Sequence, residues 1–167
     1  MYSYCKQPII FPFSNPTHYA EAEPKDLINW TEGNAIVATG SPFEDVIYNG
    51  TTYPISQGNN VYAFPGIGLG VVVSGARAVT KSMFSVAAKT IEEMVTQEDL
   101  DKNMLLPPLS KLRETSKQIA YNVWKETDRL GINRNPFTSE SMKHIEDKMW
   151  TPEYLSLIHI SEPTRPY

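Results

Sequence analysis

Three asparagines carry the most specific chemistry in this chain. Asn15 follows the apolar run Pro8-Ile-Ile-Phe-Pro-Phe13, and Asn59 and Asn60 close the polar stretch Ser56-Gln-Gly-Asn-Asn60. A carboxamide offers donor hydrogens and an acceptor oxygen without charge, so these side chains suit a carboxylate, a hydroxyl or another carboxamide. Asn15 also comes directly after a strand-like run, the place where open α/β sheets bind ligands. Loop chemistry competes with that reading, because Asn before Pro and Asn after Gly are ordinary turn residues. The run Gly66-Ile-Gly-Leu-Gly70 comes near the spacing of a phosphate-cradling fingerprint. Its third glycine is one position early, no clear strand precedes it, and no suitably placed acid follows at about twenty residues. Gly70 to Gly75 has P-loop spacing, but Ala76-Arg77 stand where Lys and Ser or Thr belong. Close backbone packing of a helix explains these glycines better.

The remaining reactive side chains form no recognisable constellation. His18 lies in the loop after the first strand, and His144 lies on a helix beside Lys143 and Glu146, without a nucleophile or ligand pattern around either. Glu92-Glu93 and Glu98-Asp99 are adjacent carboxylates on a solvated surface, not an acid/base pair. Lys81, Lys89 and Lys102 lack an apolar setting that would depress an amine pKa. Cys5 is the one cysteine, which excludes an internal disulfide and reads as a small buried apolar residue.

The elements that must position these residues begin with a βαβ pattern. Pro8 to Phe13 reads as a buried strand, Pro24 to Trp30 as a short helix with Pro in its first turn, and Ala35 to Ala38 as a second strand. That order implies a parallel sheet with a right-handed crossover. Asn49-Gly50, between Val46-Ile-Tyr48 and Thr52-Tyr-Pro-Ile55, signals a hairpin. Ser56 to Asn60 reads as a loop. An apolar helix is expected from Gly66 to about Ala78. A second, capped by Thr80, should bury Met83, Phe84, Ala87, Ala88, Ile91, Met94 and Val95. Thr96 to Asn103 reads as a polar link and Leu105 to Leu109 as a rigid connector. A helix from Ser110 ends at Gly131, with Leu112, Ile119, Ala120, Val123, Trp124 and Leu130 on one face. Ser139 to Trp150 forms the last helix. The fold class expected is therefore α/β: the end of a Rossmann-like domain with parallel strands, then C-terminal helices. The boundary falls between 1–59 and 60–154.

Bulk properties narrow the function classes. A hydrophobic content of 41% is too high for a disordered tail. A net charge of −4 with scattered Lys and Arg argues against nucleic acid as a partner. The run Val61 to Val73 is shorter than a bilayer span and contains Pro65, which argues against a membrane. No signal peptide is visible, so a reducing, cytoplasmic setting is expected, with the mitochondrial matrix as the eukaryotic alternative.

Taken together, the ordered motifs resemble the malic enzyme family. Pro8 to Thr17 is similar to its "PIIFPLSNPT", Trp30-Thr-Glu-Gly33 and Ala38-Thr-Gly-Ser-Pro-Phe43 to "WTDG…ATGSPF", and Gln57-Gly-Asn-Asn60 with Phe64 to Gly70 to "QGNN…FPGIGLG". Leu106-Pro-Pro-Leu109 and Trp150 to Tyr154 continue the likeness, which covers Pro8 to Tyr154. The resemblance implies oxidative decarboxylation of malate to pyruvate with NAD and a divalent metal, Mn or Mg, in an enzyme that is a homo-oligomer at full length. It assigns Asn15 to the malate and nicotinamide site, and Asn59 and Asn60 to the substrate as a pair of which at least one holds malate. The acidic metal ligands, general-acid tyrosine, general-base lysine and Gly-rich NAD loop would all lie upstream, so the chain is expected to be an inactive C-terminal piece. Malolactic enzyme, which converts malate to lactate, is the nearest alternative; Ser41-Pro-Phe43 and Phe64-Pro-Gly-Ile67 favour malic enzyme. A non-catalytic helical binding module is the alternative from another class. Residues 155–167 resemble a translated sequencing-library adapter and are set aside from the fold.

Overall fold

The computed structural model describes residues 2–151 of the chain. The expected tail at 155–167 lies outside those residues, as do the last three positions of the Trp150 to Tyr154 motif. Strand β1 (Ile9–Ile10), helix α1 (Pro24–Trp30) and strand β2 (Ile36–Thr39) form the anticipated unit, with β1 parallel to β2. The regular part of β1 is far shorter than the Pro8 to Phe13 run, and the run is not buried as expected: β1 lies at the edge of the described sheet, with Ile9, Phe11 and Phe13 exposed. Pro8 and Pro12 have no N–H to give to a ladder, so they contribute through their carbonyls alone. Ile36 N–H bonds Pro8 O at 2.9 Å and Gly40 N–H bonds Pro12 O at 3.2 Å. Proline thus leaves the run hydrogen-bonded to β2 along its length while removing the donors that would define a longer strand.

Strands β3 (Val46–Tyr48) and β4 (Thr51–Tyr53) are antiparallel around Asn49-Gly50. Both turn residues have positive φ, 49° and 78°, as a tight primed hairpin turn requires. A further strand, β5 (Ser56–Gln57), lies where a loop was expected, parallel to β2 with Ala38 opposite Ser56 and Thr39 opposite Gln57. The sheet order is β1-β2-β5, so β2 is central. Leu27, Ile28, Ala35, Val37 and Val46 make its core, with Ile10, Tyr48, Tyr53 and Ile55 packed around them.

The second half is built around α5 (Leu112–Arg129). Helices α2 (Phe64–Ser74), α3 (Lys81–Glu93) and α6 (Ser141–Lys148) all pack on it. Ile67, Met83, Ala87, Ile119 and Val123 form one cluster, and Val73, Ala120, Trp124 and Ile145 another. Gly66 and Gly70 are one turn apart on α2 and face α5. A Cβ on Gly66 would stand 2.6 Å from Ile119 Cβ; one on Gly70 would stand 2.8 Å from Val123 Cβ. Gly68 points into open space, so two of the three glycines serve close packing. No described helix is long and apolar enough to cross a membrane.

Several local expectations are corrected. Helix α2 stops at Ser74, not Ala78, because Gly75 takes the left-handed conformation and Ala76 N–H returns to Val71 O. The loop after α5 closes the same end: Asn135 Nδ2 donates to Val73 O at 2.7 Å. Thr80 is the N-cap of α3, but its hydroxyl meets Ser82 Oγ instead of a backbone N–H. The buried face of α3 is Met83, Ala87 and Thr90, while Phe84 is 46% exposed. Thr90 is accommodated because its hydroxyl donates to Val86 O and accepts from Asn122 Nδ2. Thr96 to Asn103 contains α4 (Gln97–Asp101), nucleated by a reciprocal cap between Thr96 and Asp99. The Thr96 hydroxyl holds the Asp99 carboxyl below its usual range. On α5, Leu130 is exposed, and the buried set includes Thr115, Ser116, Glu126 and Thr127. Cys5 is exposed, since it sits in the N-terminal turns outside both cores.

Glu126 is buried and clasped by Arg129, with Nε–Oε2 at 2.7 Å and a second guanidinium nitrogen on Oε1 at 2.8 Å. The Arg129 hydrogen bonds, then one from Ser82, bring its pKa from the ordinary 4.5 to about 2. A depressed carboxylate contributes stability above its unfolded pKa and loses it as pH falls through the folded one. Arg129→Met is therefore expected to lower the thermal midpoint above pH 4.5, with the difference from the parent shrinking toward pH 2. Arg129 is well exposed, so the effect should be at most about 1 kcal/mol. Thermal unfolding across that pH range measures it; a difference constant with pH would refute it.

Candidate functional site

All three strands of the parallel sheet run the same way, so their carboxyl ends deliver three loops to one edge. The loop after β1 brings Phe13, Ser14 and Asn15; the loop after β2 brings Gly40 and Ser41; β5 leads through Gln57 and Gly58 to Asn59 and Asn60. This is the crevice side of an open α/β sheet.

The first two loops are bonded directly. Ser41 Oγ donates to Asn15 Oδ1 at 2.5 Å, and Asn15 Nδ2 lies 3.1 Å from the point where a Cβ on Gly40 would stand. That same Cβ would collide with the Phe13 carbonyl, so only a residue without a side chain fits between β1 and β2 here. Thr39, fully buried, donates its hydroxyl to Ser41 O at 2.8 Å and fixes the turn. The third loop is tied in by Gln57 Nε2 to Gly40 O at 3.2 Å and Gly58 N–H to Thr39 O at 2.7 Å. The Phe13 ring covers Gly58 and stacks on Phe11 with centroids 5.0 Å apart.

Each predicted residue has a distinct setting. Asn15 is exposed, precedes a cis Asn15–Pro16 bond, and has its oxygen engaged by Ser41. Asn59 uses its oxygen to accept from Val61 N–H at 2.9 Å, capping the short turn Asn60–Tyr62. The turn-chemistry alternative thus accounts for the oxygen of Asn59 and leaves its amide nitrogen. Asn60 is exposed, with no side-chain hydrogen bond among the described residues. Both members of the pair follow β5 at the edge where Asn15 follows β1. Gly40, Ser41 and Gln57 were not singled out from their residue types. Gly-Ser directly after a buried strand was the available signal, since it stands at the same topological position as Asn15.

Ser14 donates through Oγ at 2.7 Å and through N–H at 3.2 Å to the Glu21 carboxylate, and the hydroxyl lowers the Glu21 pKa. His18 is exposed and packs on the Tyr19 ring; His144 lies against the Trp124 ring, far along the chain on α6. Lys102 pairs with Glu98 at 2.6 Å and Lys89 with Glu93 at 4.0 Å, so these are surface ion pairs. Among the described residues no three His, Cys, Asp or Glu side chains gather as a metal site. The donors at the sheet edge are neutral amides, hydroxyls and carbonyls, a set that orients a polar organic ligand and does not fit a divalent metal with carboxylate ligands. Gly66 and Gly70 lie in a helix interface and cradle nothing.

Comparison with known proteins is consistent along most of the chain. Residues 1–128 match the family model "Malic enzyme, NAD binding domain". The NAD-dependent malic enzyme of Edwardsiella ictaluri is 46% identical over 156 residues, covering 93% of this chain and 28% of that protein. That of Shewanella oneidensis is 46% identical over 154 residues, covering 92% of this chain and 27% of the relative. The crystal structure of malic enzyme from Pyrococcus horikoshii Ot3 superposes with a TM-score of 0.62 at 27% identity, over 83% of this chain and 28% of that one. The chain therefore spans little more than a quarter of the length of the relatives it matches.

Proposed function

Because the chain belongs to the malic enzyme family through its NAD-binding domain, we propose that it forms one wall of the active site of a longer NAD-dependent enzyme. That enzyme would oxidise and decarboxylate (S)-malate to pyruvate and CO₂ with formation of NADH. The observation that carries the reading is the convergence of Asn15, Ser41, Gln57 and Asn59-Asn60 at the carboxyl edge of one parallel sheet. Neutral amides there suit a dicarboxylate substrate and a nicotinamide carboxamide. They bind without charge and hold the substrate C2 hydrogen toward the ring. The reaction also needs a proton donor, a proton acceptor and a divalent metal. The described residues offer no cluster for the metal, so we place its ligands, with the acid and base, in the upstream part of the longer protein. The chain alone is accordingly expected to be inactive.

The test is product analysis on the full-length enzyme with malate, NAD and Mn²⁺. Pyruvate and NADH in equal amounts are expected; lactate without free NADH would instead make it a malolactic enzyme.

A further inference from the structure

We propose that Ser41 is a positioning residue that decides which end of the Asn15 carboxamide meets the ligand, a role that rests on the functional reading above. A terminal carboxamide torsion is soft and roughly two-fold, so an unrestrained Asn presents either its oxygen or its amide hydrogens. Ser41 is 5% exposed, and among the described residues its hydroxyl has one acceptor, Asn15 Oδ1. Turning the carboxamide over would place hydrogens against the hydroxyl and leave a buried O–H without an acceptor, which is unfavourable. The backbone that carries the hydroxyl is held in place, by Thr39 at the Ser41 carbonyl and by Gln57 and Pro12 at Gly40. Gly40 completes the arrangement: Asn15 Nδ2 lies over it, where any side chain would intrude. Asn15 therefore presents an N–H donor, and the ligand atom it reads is an acceptor oxygen of a carboxylate or carboxamide.

The experiment is a double-mutant cycle in the full-length enzyme, reading kcat and KM for malate at saturating NAD. Ser41→Ala is expected to lower kcat/KM about fivefold to tenfold, mostly through KM, the scale of one oriented hydrogen bond. In the Asn15→Ala background the same change should add nothing, because Ser41 acts through Asn15. Ser41→Thr, which keeps the hydroxyl, should stay near the parent KM. Losses that multiply, or an unchanged KM in Ser41→Ala, would overturn the role of Ser41 alone. Absence of malate-dependent NADH from the unmodified enzyme would overturn both this role and the functional reading.

Discussion

Gly70→Val should destabilise the protein by about 3 kcal/mol or more, while Gly68→Ala, two residues away on the same helix, should be neutral or mildly stabilising. The two glycines are close in sequence and opposite in surroundings. A Cβ on Gly70 would stand 2.8 Å from both Val123 Cβ and Cγ1, and 2.9 Å from the Ala120 carbonyl. All three atoms belong to α5, and Val123 and Ala120 are fully buried, so neither can swing aside. The helices must part, and the clusters around Ile119 and Trp124 must open with them. Gly68 meets nothing, so alanine there gains helix propensity without a clash. Thermal or denaturant unfolding of both variants measures the contrast; equal midpoints would contradict the packing role.

The second large effect belongs to Asn15→Asp in the full-length enzyme, expected to lower kcat/KM for malate about a hundredfold, or ~2.7 kcal/mol. The replacement is nearly isosteric, so Ser41 can still donate to one oxygen. The other position then holds a carboxylate oxygen in place of the amide donor, facing a substrate that is itself a dianion. A hydrogen bond is exchanged for repulsion between like charges, which costs more than truncation to alanine. Asn60→Ala should produce a smaller loss of about 1 kcal/mol, since it removes one hydrogen bond and adds no charge. Steady-state kinetics with malate varied would decide both; unchanged values for Asn15→Asp would remove Asn15 from the site.

Local signals carried much of the fold. Helix α1 was legible to its last residue because Pro24 and Gly33 bracket it, and Asn49-Gly50 announced its own turn. What escaped depended on contacts distant in sequence. Ser56-Gln57 has no strand character by itself and becomes β5 because β2 offers it a parallel edge. Thr90 reads as a polar gap in an apolar face until Asn122, thirty-two residues away, satisfies it. Helix α4 was hidden because Thr96 and Asp99 look like loop residues before their reciprocal cap is seen. The site divides the same way. Asn15 could be singled out as a candidate because it follows a strand, whereas Ser41 and Gln57 reach the same edge through the β1-β2-β5 register, which no single segment encodes.

The proposed role of this sheet edge is to hold malate and nicotinamide through neutral amides. The most direct measurement is a crystal structure of the full-length enzyme with NAD and a non-reactive malate analogue bound. That role predicts a ligand oxygen within hydrogen-bond distance of Asn15 Nδ2 and another at Asn60, with Ser41 Oγ still on Asn15 Oδ1. A ligand bound away from the loops that follow β1, β2 and β5 would contradict it.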